Sequence, residues 1–165
     1  MLGPQDDHFP ARALAAFFAQ TWQATPAQDR MGLRLQGEPI AHTSAAAADI
    51  VSDGVTPGVI QVPANGQPIV LLADGQTVGG YPKIATVITA DLPRLAHLRP
   101  GTPVRFQAVT AAEAHAALHA QRIRWQGWLA GREAFLPPGT VDEAALYGAN
   151  LISGMLSTHP EDDRP

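Results

Sequence analysis

The sequence predicts a mainly β domain with terminal helices, an antiparallel or mixed barrel, and three observations predict it. Short alternating or apolar runs succeed one another between residues 33 and 109. Helical periodicity is confined to the two ends of the chain and one brief insert. Fifteen glycines and fifteen prolines lie throughout rather than in one linker, above their usual combined share of ~12%. Strands first and helices late, with few crossover helices, disfavour a parallel α/β sheet.

Each element has a local reason. Asp6 or Asp7 is expected to cap a short helix through Phe9, Leu14, Phe17 and Phe18, with one aromatic face. Residues 33–36 alternate, as do parts of 59–62; residues 68–73 are a continuous apolar run; 84–89 are β-branched; 104–109 alternate again. Asn65-Gly66, Asp74-Gly75, Gly79-Gly80 and Pro100-Gly101 supply the turns. Residues 91–98 read as a short helix capped by Asp91, with Leu92, Leu95 and Leu98 on one side, plugging an end of the sheet. Thr110-Ala-Ala-Glu113 is a capping box, and Ala114, Leu118, Trp125 and Leu129 carry a helix to about Phe135. Pro137-Pro138-Gly139 breaks the chain, Thr140-Val-Asp-Glu143 opens another helix, and residues 159–165 read as a disordered tail. The predicted division is therefore 1–136 for the barrel part and 137–165 for an appended helix and tail.

Composition excludes several functions. Eleven basic against fifteen acidic side chains give a net charge of -4 over 165 residues, so a general phosphate-binding surface has no electrostatic support and nucleic acid is not an expected partner. The absence of cysteine removes disulfides, thiolate catalysis and cysteine-ligated metals. The start of the sequence lacks the basic lead and length of a signal peptide, and no run approaches the ~20 apolar residues of a membrane span. A cytoplasmic location and no membrane partner are expected.

Among motifs, Gly75 to Lys83 (GQTVGGYPK) fails as a phosphate loop, because Tyr81 and Pro82 separate the lysine from the last glycine. His115 and His119 have i, i+4 metal-ligand spacing but no third ligand, and a partly solvated helix face is the expected reading; no metal site is expected. Ser52 lacks a nucleophile elbow and reads as a turn or cap. Gln61, Asp74, Gln76 and Thr77 are more informative, because polar residues embedded in apolar strands must be satisfied by a ligand or by a network between strands. With Gly79, Gly80 and Tyr81 beside them they favour a site, since glycine lets a substrate approach the backbone. Arg30 and Arg34 suit capture of a carboxylate, or a salt bridge to Asp29, Asp49 or Asp53. The single lysine, Lys83, lies between a proline and an apolar strand, which makes this chain a poor carrier of covalently attached biotin or lipoate.

Asp29-Arg-Met-Gly-Leu-Arg-Leu-Gln-Gly37, Ser52-Asp-Gly54, Gly58-Val-Ile-Gln-Val-Pro63, Gly66-Gln-Pro-Ile69, Ala73-Asp-Gly-Gln-Thr77 and Gly79-Gly-Tyr-Pro82 together resemble the biotin-dependent carboxyltransferase A/B domain family. The resemblance extends from Gly3-Pro-Gln5 to Glu113-Ala114 and corresponds to the C-terminal half of such a domain. It implies a cyclophilin-like β-barrel, partial here. It also implies a component of an ATP-dependent amide or lactam hydrolase, foremost the C subunit of a 5-oxoprolinase (or allophanate hydrolase subunit 2), which converts 5-oxoproline to glutamate. The implied partners are a homologous carboxyltransferase-type chain, resembling KipI or the B subunit of 5-oxoprolinase, and a third chain. ATP would be a substrate of the complex, and biotin would enter only if carried by another chain. The alternatives implied are a carboxyltransferase component acting on urea or a similar amide, and a non-catalytic regulatory module of the KipA kind. On this resemblance Gln61, Gln76 and Thr77 are expected to hydrogen-bond the amide, with Gly79, Gly80 and Tyr81 lining the cleft. Arg30 or Arg34 would hold a carboxylate or phosphorylated intermediate, and Asp74 would orient a proton carrier beside Gln76.

Overall fold

A computed structural model describes residues 1–133 and, beyond them, residues 135, 139, 146 and 148. Met1–Trp125 is one compact unit and Gln126–Pro165 a second. The first unit is mainly β. Strands β1 (Trp22–Gln28), β2 (Gly32–Gln36), β4 (Val59–Gln61), β5 (Ile69–Leu71), β7 (Lys83–Thr86) and β8 (Pro103–Val104) form a six-stranded sheet in the order β7, β4, β5, β2, β1, β8. Every neighbouring pair is antiparallel. Strands β3 (Asp53–Gly54) and β6 (Val78–Gly79) pair separately as a two-stranded ribbon. The larger sheet curls into a half-barrel, and no pairing among the described residues joins β7 to β8.

The alternation in β2 works as expected, because side chains on a strand leave opposite faces in turn. Leu33 and Leu35 are each 1% exposed, while Arg34 and Gln36 face out. Strand β1 was not anticipated: only Trp22 and Ala24 of WQATPAQ point into the core, and Pro26 speaks against a strand interior. The structure accommodates Pro26 within an irregularity in the pairing with β2, between Ala24 and Gln28. Conversely, the strands expected over 84–89 and 104–109 are shorter. Strand β7 ends at Thr86, and β8 ends at Val104, after which the backbone carries no ladder.

The larger of two core clusters includes Phe17, Trp22, Ile60, Val62, Val70 and Ile84, and a smaller one gathers Val55, Val59 and Leu71. Phe17 comes from helix α1 (Ala11–Ala19) and is fully buried; it stacks on Phe106 at 5.0 Å between centroids and accepts the Trp22 indole N–H on its carbonyl at 3.1 Å. Burial of a ring this size contributes about 2–3 kcal/mol. The expected cap for this helix is corrected. Asp6 and Asp7 lie in a separate 3₁₀ turn, and Pro10 occupies the N-cap position with φ -65°, because a residue without an N–H suits the entry to a helix.

Helix α2 (Leu92–Ala96) inserts between β7 and β8 and buries Leu95. Asp91 stands at its N-cap, yet its carboxylate pairs with Arg94 at 3.2 Å instead of capping. Where the sheet stays open, a cavity of about 370 Å³ is floored by Phe17, Ile60, Leu95 and Val104. Residues 1–3 run along the free edge of β7: Leu2 bridges Ala85, and the Gly3 amide donates to the Ile84 carbonyl at 2.9 Å. A side chain at Gly3 would strike the Lys83 carbonyl.

Helix α3 (Ala111–Ala130) begins with the expected capping box. The Thr110 amide donates to Glu113 at 2.7 Å, and the Glu113 amide returns a bond to the Thr110 hydroxyl at 3.2 Å. It stops at Ala130 rather than near Phe135, and none of its residues is buried. His115 and His119 are exposed on it. Among the described residues no helix is long and apolar enough to cross a membrane. The expected capping box at Thr140 and the expected tail lie outside the described residues.

Candidate functional site

The chemistry collects where β4, β7 and the β3/β6 ribbon meet. All three residues of β4 are buried, and the last of them is a glutamine. A one-residue shift in the β4/β7 pairing follows Ile60, so that Gln61 stands opposite Lys83 instead of Ile84. Bulges of this kind re-aim side chains beside sites. They put the two polar residues at matching positions of adjacent strands.

Gln61 is 1% exposed. Its Oε1 accepts a hydrogen bond from Gln76 Nε2 at 3.3 Å, and its own Nε2 is buried with no partner among the described residues. A buried amide left half-satisfied costs about 1–3 kcal/mol. The group is aimed at Gly79, where an added Cβ would collide with Nε2. Glycine at 79 therefore leaves the room that the Gln61 amide occupies.

Lys83 is the second buried polar residue, with a side chain 3% exposed. Its ammonium donates to Asp53 of β3 and, at 3.4 Å, to the Gly54 carbonyl. Asp53 is 57% exposed, so the pair is dry at the lysine end and wet at the carboxylate end. The Lys83 hydrogen bond, then the Gly54 amide at 2.7 Å, then the lysine's charge hold the Asp53 carboxyl below the usual carboxylate range. Gln5 braces the same place, because its Oε1 accepts from the Lys83 amide at 3.3 Å.

The double-glycine bend encloses these groups. Val55 donates to the Thr77 carbonyl at 3.0 Å and Ile50 to the Gly80 carbonyl at 2.8 Å, which pins both ends of the bend to the preceding segment. Gly79 is buried, Gly80 is half-buried, and Thr77, Gln76 and Tyr81 reach solvent. A Cβ at Gly80 would lie 3.8 Å from the Ser52 hydroxyl. The arrangement gathers one buried amide donor, one buried ammonium and one exposed carboxylate. Such a set can bind an amide or carboxyl group and stabilise negative charge developing on its oxygen.

Of the residues expected at the site, Gln61, Gln76, Thr77, Gly79, Gly80 and Tyr81 share this bend. The arginines do not join it. Arg30 sits in the β1–β2 turn and pairs with Asp74 at 2.7 Å, with its side chain 85% exposed. Asp29, Asp49 and Asp53 are thus not its partner, and the Asp74 carboxylate is paired with the arginine. Arg34 lies on the outward face of β2, opposite Ile69. Lys83 and Asp53 were missed as site residues. The available signal was the sole lysine of the chain set in an apolar run, which demands a carboxylate partner.

Three comparisons bear on this geometry. A family model described as the carboxyltransferase domain, subdomain A and B, matches residues 1–108. The chain is 44% identical over 112 residues to the C subunit of 5-oxoprolinase from Escherichia coli, covering 68% of this chain and 36% of that protein. It is 42% identical over 106 residues to the C subunit of 5-oxoprolinase from Haemophilus influenzae, covering 64% and 34%. The chain thus spans about a third of the length of these curated relatives. Its fold is also that of part of the Kluyveromyces lactis urea carboxylase crystal structure, with a TM-score of 0.73 at 21% identity, over 82% of this chain and 13% of that one.

Proposed function

Since the chain belongs to the family of carboxyltransferase domains, subdomain A and B, we propose that it is part of the C subunit of a cytoplasmic, ATP-dependent 5-oxoprolinase. The observation that carries the reading is the buried Gln61 amide, with its unpartnered Nε2 aimed at Gly79 next to the Lys83–Asp53 pair. Gln61 and Gln76 hydrogen-bond the lactam group, with Thr77, Gly80 and Tyr81 at the mouth. Lys83, relayed between Asp53 and the substrate, stabilises charge on the carbonyl oxygen as the lactam C–N bond is broken by water. These residues fit an amide or carboxyl group and not a triphosphate, because among the described residues the site holds a single buried cation, Lys83, whose charge Asp53 largely balances. ATP is accordingly assigned to a partner chain, and a homologue of the KipI or B-subunit kind, together with a third chain, completes the assembly. The identity to proteins named as C subunits of 5-oxoprolinase, over most of this chain, supports the assignment.

The test is ATP-dependent release of glutamate from 5-oxoproline by the chain reconstituted with its partner subunits. Wild type turns over, and Gln61→Leu, which keeps the side-chain volume and removes the amide, loses at least about tenfold in turnover. Full activity in Gln61→Leu would remove the site from the proposal. The family resemblance favours one second reading, transfer of a carboxyl group from biotin carried on another chain to urea or a similar amide. Biotin-dependent carboxylation that avidin blocks, without glutamate release, would establish it instead.

A further inference from the structure

A second cavity, of about 670 Å³, lies at one end of the half-barrel, and none of Gln61, Gln76 and Lys83 lines it. Pro57, Leu72, Leu92 and Leu95 make its wall apolar, and its polar rim is Gln28, Asp29 and Arg30. The volume falls within the range of small-molecule sites, which are mostly apolar with a few convergent polar groups.

The three rim residues differ in what they are free to do. Gln28 Nε2 donates to the Leu98 carbonyl at 3.0 Å, which ties the cavity's β1 side to the chain beyond α2. The Asp29 carboxylate accepts from the Met31 and Gly32 amides at 2.8 and 3.0 Å and so shapes the turn. Arg30 alone is held by a side chain, through Nε to Asp74 at 2.7 Å and Nη2 to Asp74 at 3.3 Å, with 85% and 45% of the two side chains exposed. An ion pair so solvated is weak, so another carboxylate can compete with Asp74 for the guanidinium. The backbone need not follow, because the Asp74 amide to Arg30 carbonyl bond at 3.0 Å and the Leu72 amide to Met31 carbonyl bond at 3.0 Å hold the two loops together. Asp74 holds the Nε and Nη2 side of the guanidinium, so an added acid competes with it for Arg30.

We propose that this cavity binds a small monocarboxylic acid with an apolar body, the body resting on Leu72, Leu92 and Leu95 and the carboxylate taking Arg30 from Asp74. The site is independent of the amide site at the bend, and its test reads binding, so glutamate release plays no part in it. The full chain, labelled with ¹⁵N, is titrated with hexanoate, hexanamide and hexylamine. Hexanoate is expected to shift the amides of Ala73 and Ala96, with hexanamide and hexylamine at least about tenfold weaker. Arg30→Gln should weaken hexanoate about tenfold, and Asp74→Asn, which removes the competitor, should tighten it. Both substitutions are at exposed positions and leave the fold intact. No shift at millimolar hexanoate, equal binding of the three ligands, or an Asp74→Asn variant that binds hexanoate more weakly would overturn the proposal.

Discussion

The bend between β4 and β7 and the helix α3 depart from the usual partition of residues in opposite directions. At the bend, polar groups are buried: Gln61 is 1% and Lys83 2% exposed. On α3, large apolar groups are exposed, with Leu118, Ile123, Trp125, Trp128 and Leu129 between 40% and 61%. Burying amide and ammonium groups is costly, and the structure offsets part of that cost with specific tertiary partners, Gln76 for the Gln61 oxygen and Asp53 and the Gly54 carbonyl for the ammonium, while Gln61 Nε2 has no partner among the described residues. Helix α3 buries no residue and is fixed at its start by a local capping box. The comparison teaches that long-range pairing positions the candidate site, whereas sequence-local rules start the helix. Substitutions should therefore act on different scales in the two regions.

The largest effect on stability is expected at Gly79→Ala, where the new methyl group collides with Gln61 Nε2 and meets Val55 at 3.5 Å. Overpacking should destabilise the protein by about 1–3 kcal/mol in a denaturant titration, and a neutral outcome would mean that the bend yields easily. Next comes Thr110→Ala, which removes one arm of the capping box and should cost about 1 kcal/mol of helix stability. Amide exchange would quicken in the first turn of α3 while the sheet stays protected; faster exchange in β4 and β7 would show that the two regions are coupled.

Acid sharpens the contrast further. Asp53 is held down by the Lys83 hydrogen bond first, and Glu113 by the Thr110 amide first. Each folded pKa lies below the unfolded one, so the stability it contributes is complete above the ordinary carboxylate range, near pH 4, and is lost as pH falls through the folded value. Denaturation midpoints should drop in that window. In Lys83→Met the Asp53 part of the drop should shrink while the Glu113 part persists, and an unchanged profile would contradict the assignment. The smallest effect belongs to Arg34→Ala on the outer face of β2, within about 0.5 kcal/mol and without change in turnover.

Much of this was legible in the sequence where one physical rule dominates. Leu33 and Leu35 alternate with polar residues, so β2 was readable; alternation within 59–62, the apolar run over 68–73 and the β-branched run over 84–89 gave β4, β5 and most of β7; Thr110 and Glu113 gave the start of α3. Strand β1 was hidden because Pro26 and its polar residues mask the two that point inward. Strands β3 and β6 have two residues each and carry no period at all. At the site, the grouping of Gln61 with Gln76 followed from polar residues set in apolar strands. The Lys83–Asp53 pair did not, because Asp53 lies in a Ser-Asp-Gly segment whose composition signals a turn, and its partner is thirty residues away. Arg30 and Arg34 illustrate the converse: residue type suggested anion capture at the amide site, but only the fold decides which face an arginine occupies, and it sets both away from the bend.

The central proposal is that Lys83 is buried to act on a substrate and not to stabilise the fold. It is tested most directly by Lys83→Met in the reconstituted complex, with glutamate release and thermal unfolding measured on the same preparation. A methionine fills the same space, and Asp53 remains solvated once its partner is gone. The account predicts that turnover falls by about a hundredfold or more while the melting temperature holds or rises. Turnover at the wild-type level in a folded Lys83→Met protein would contradict it.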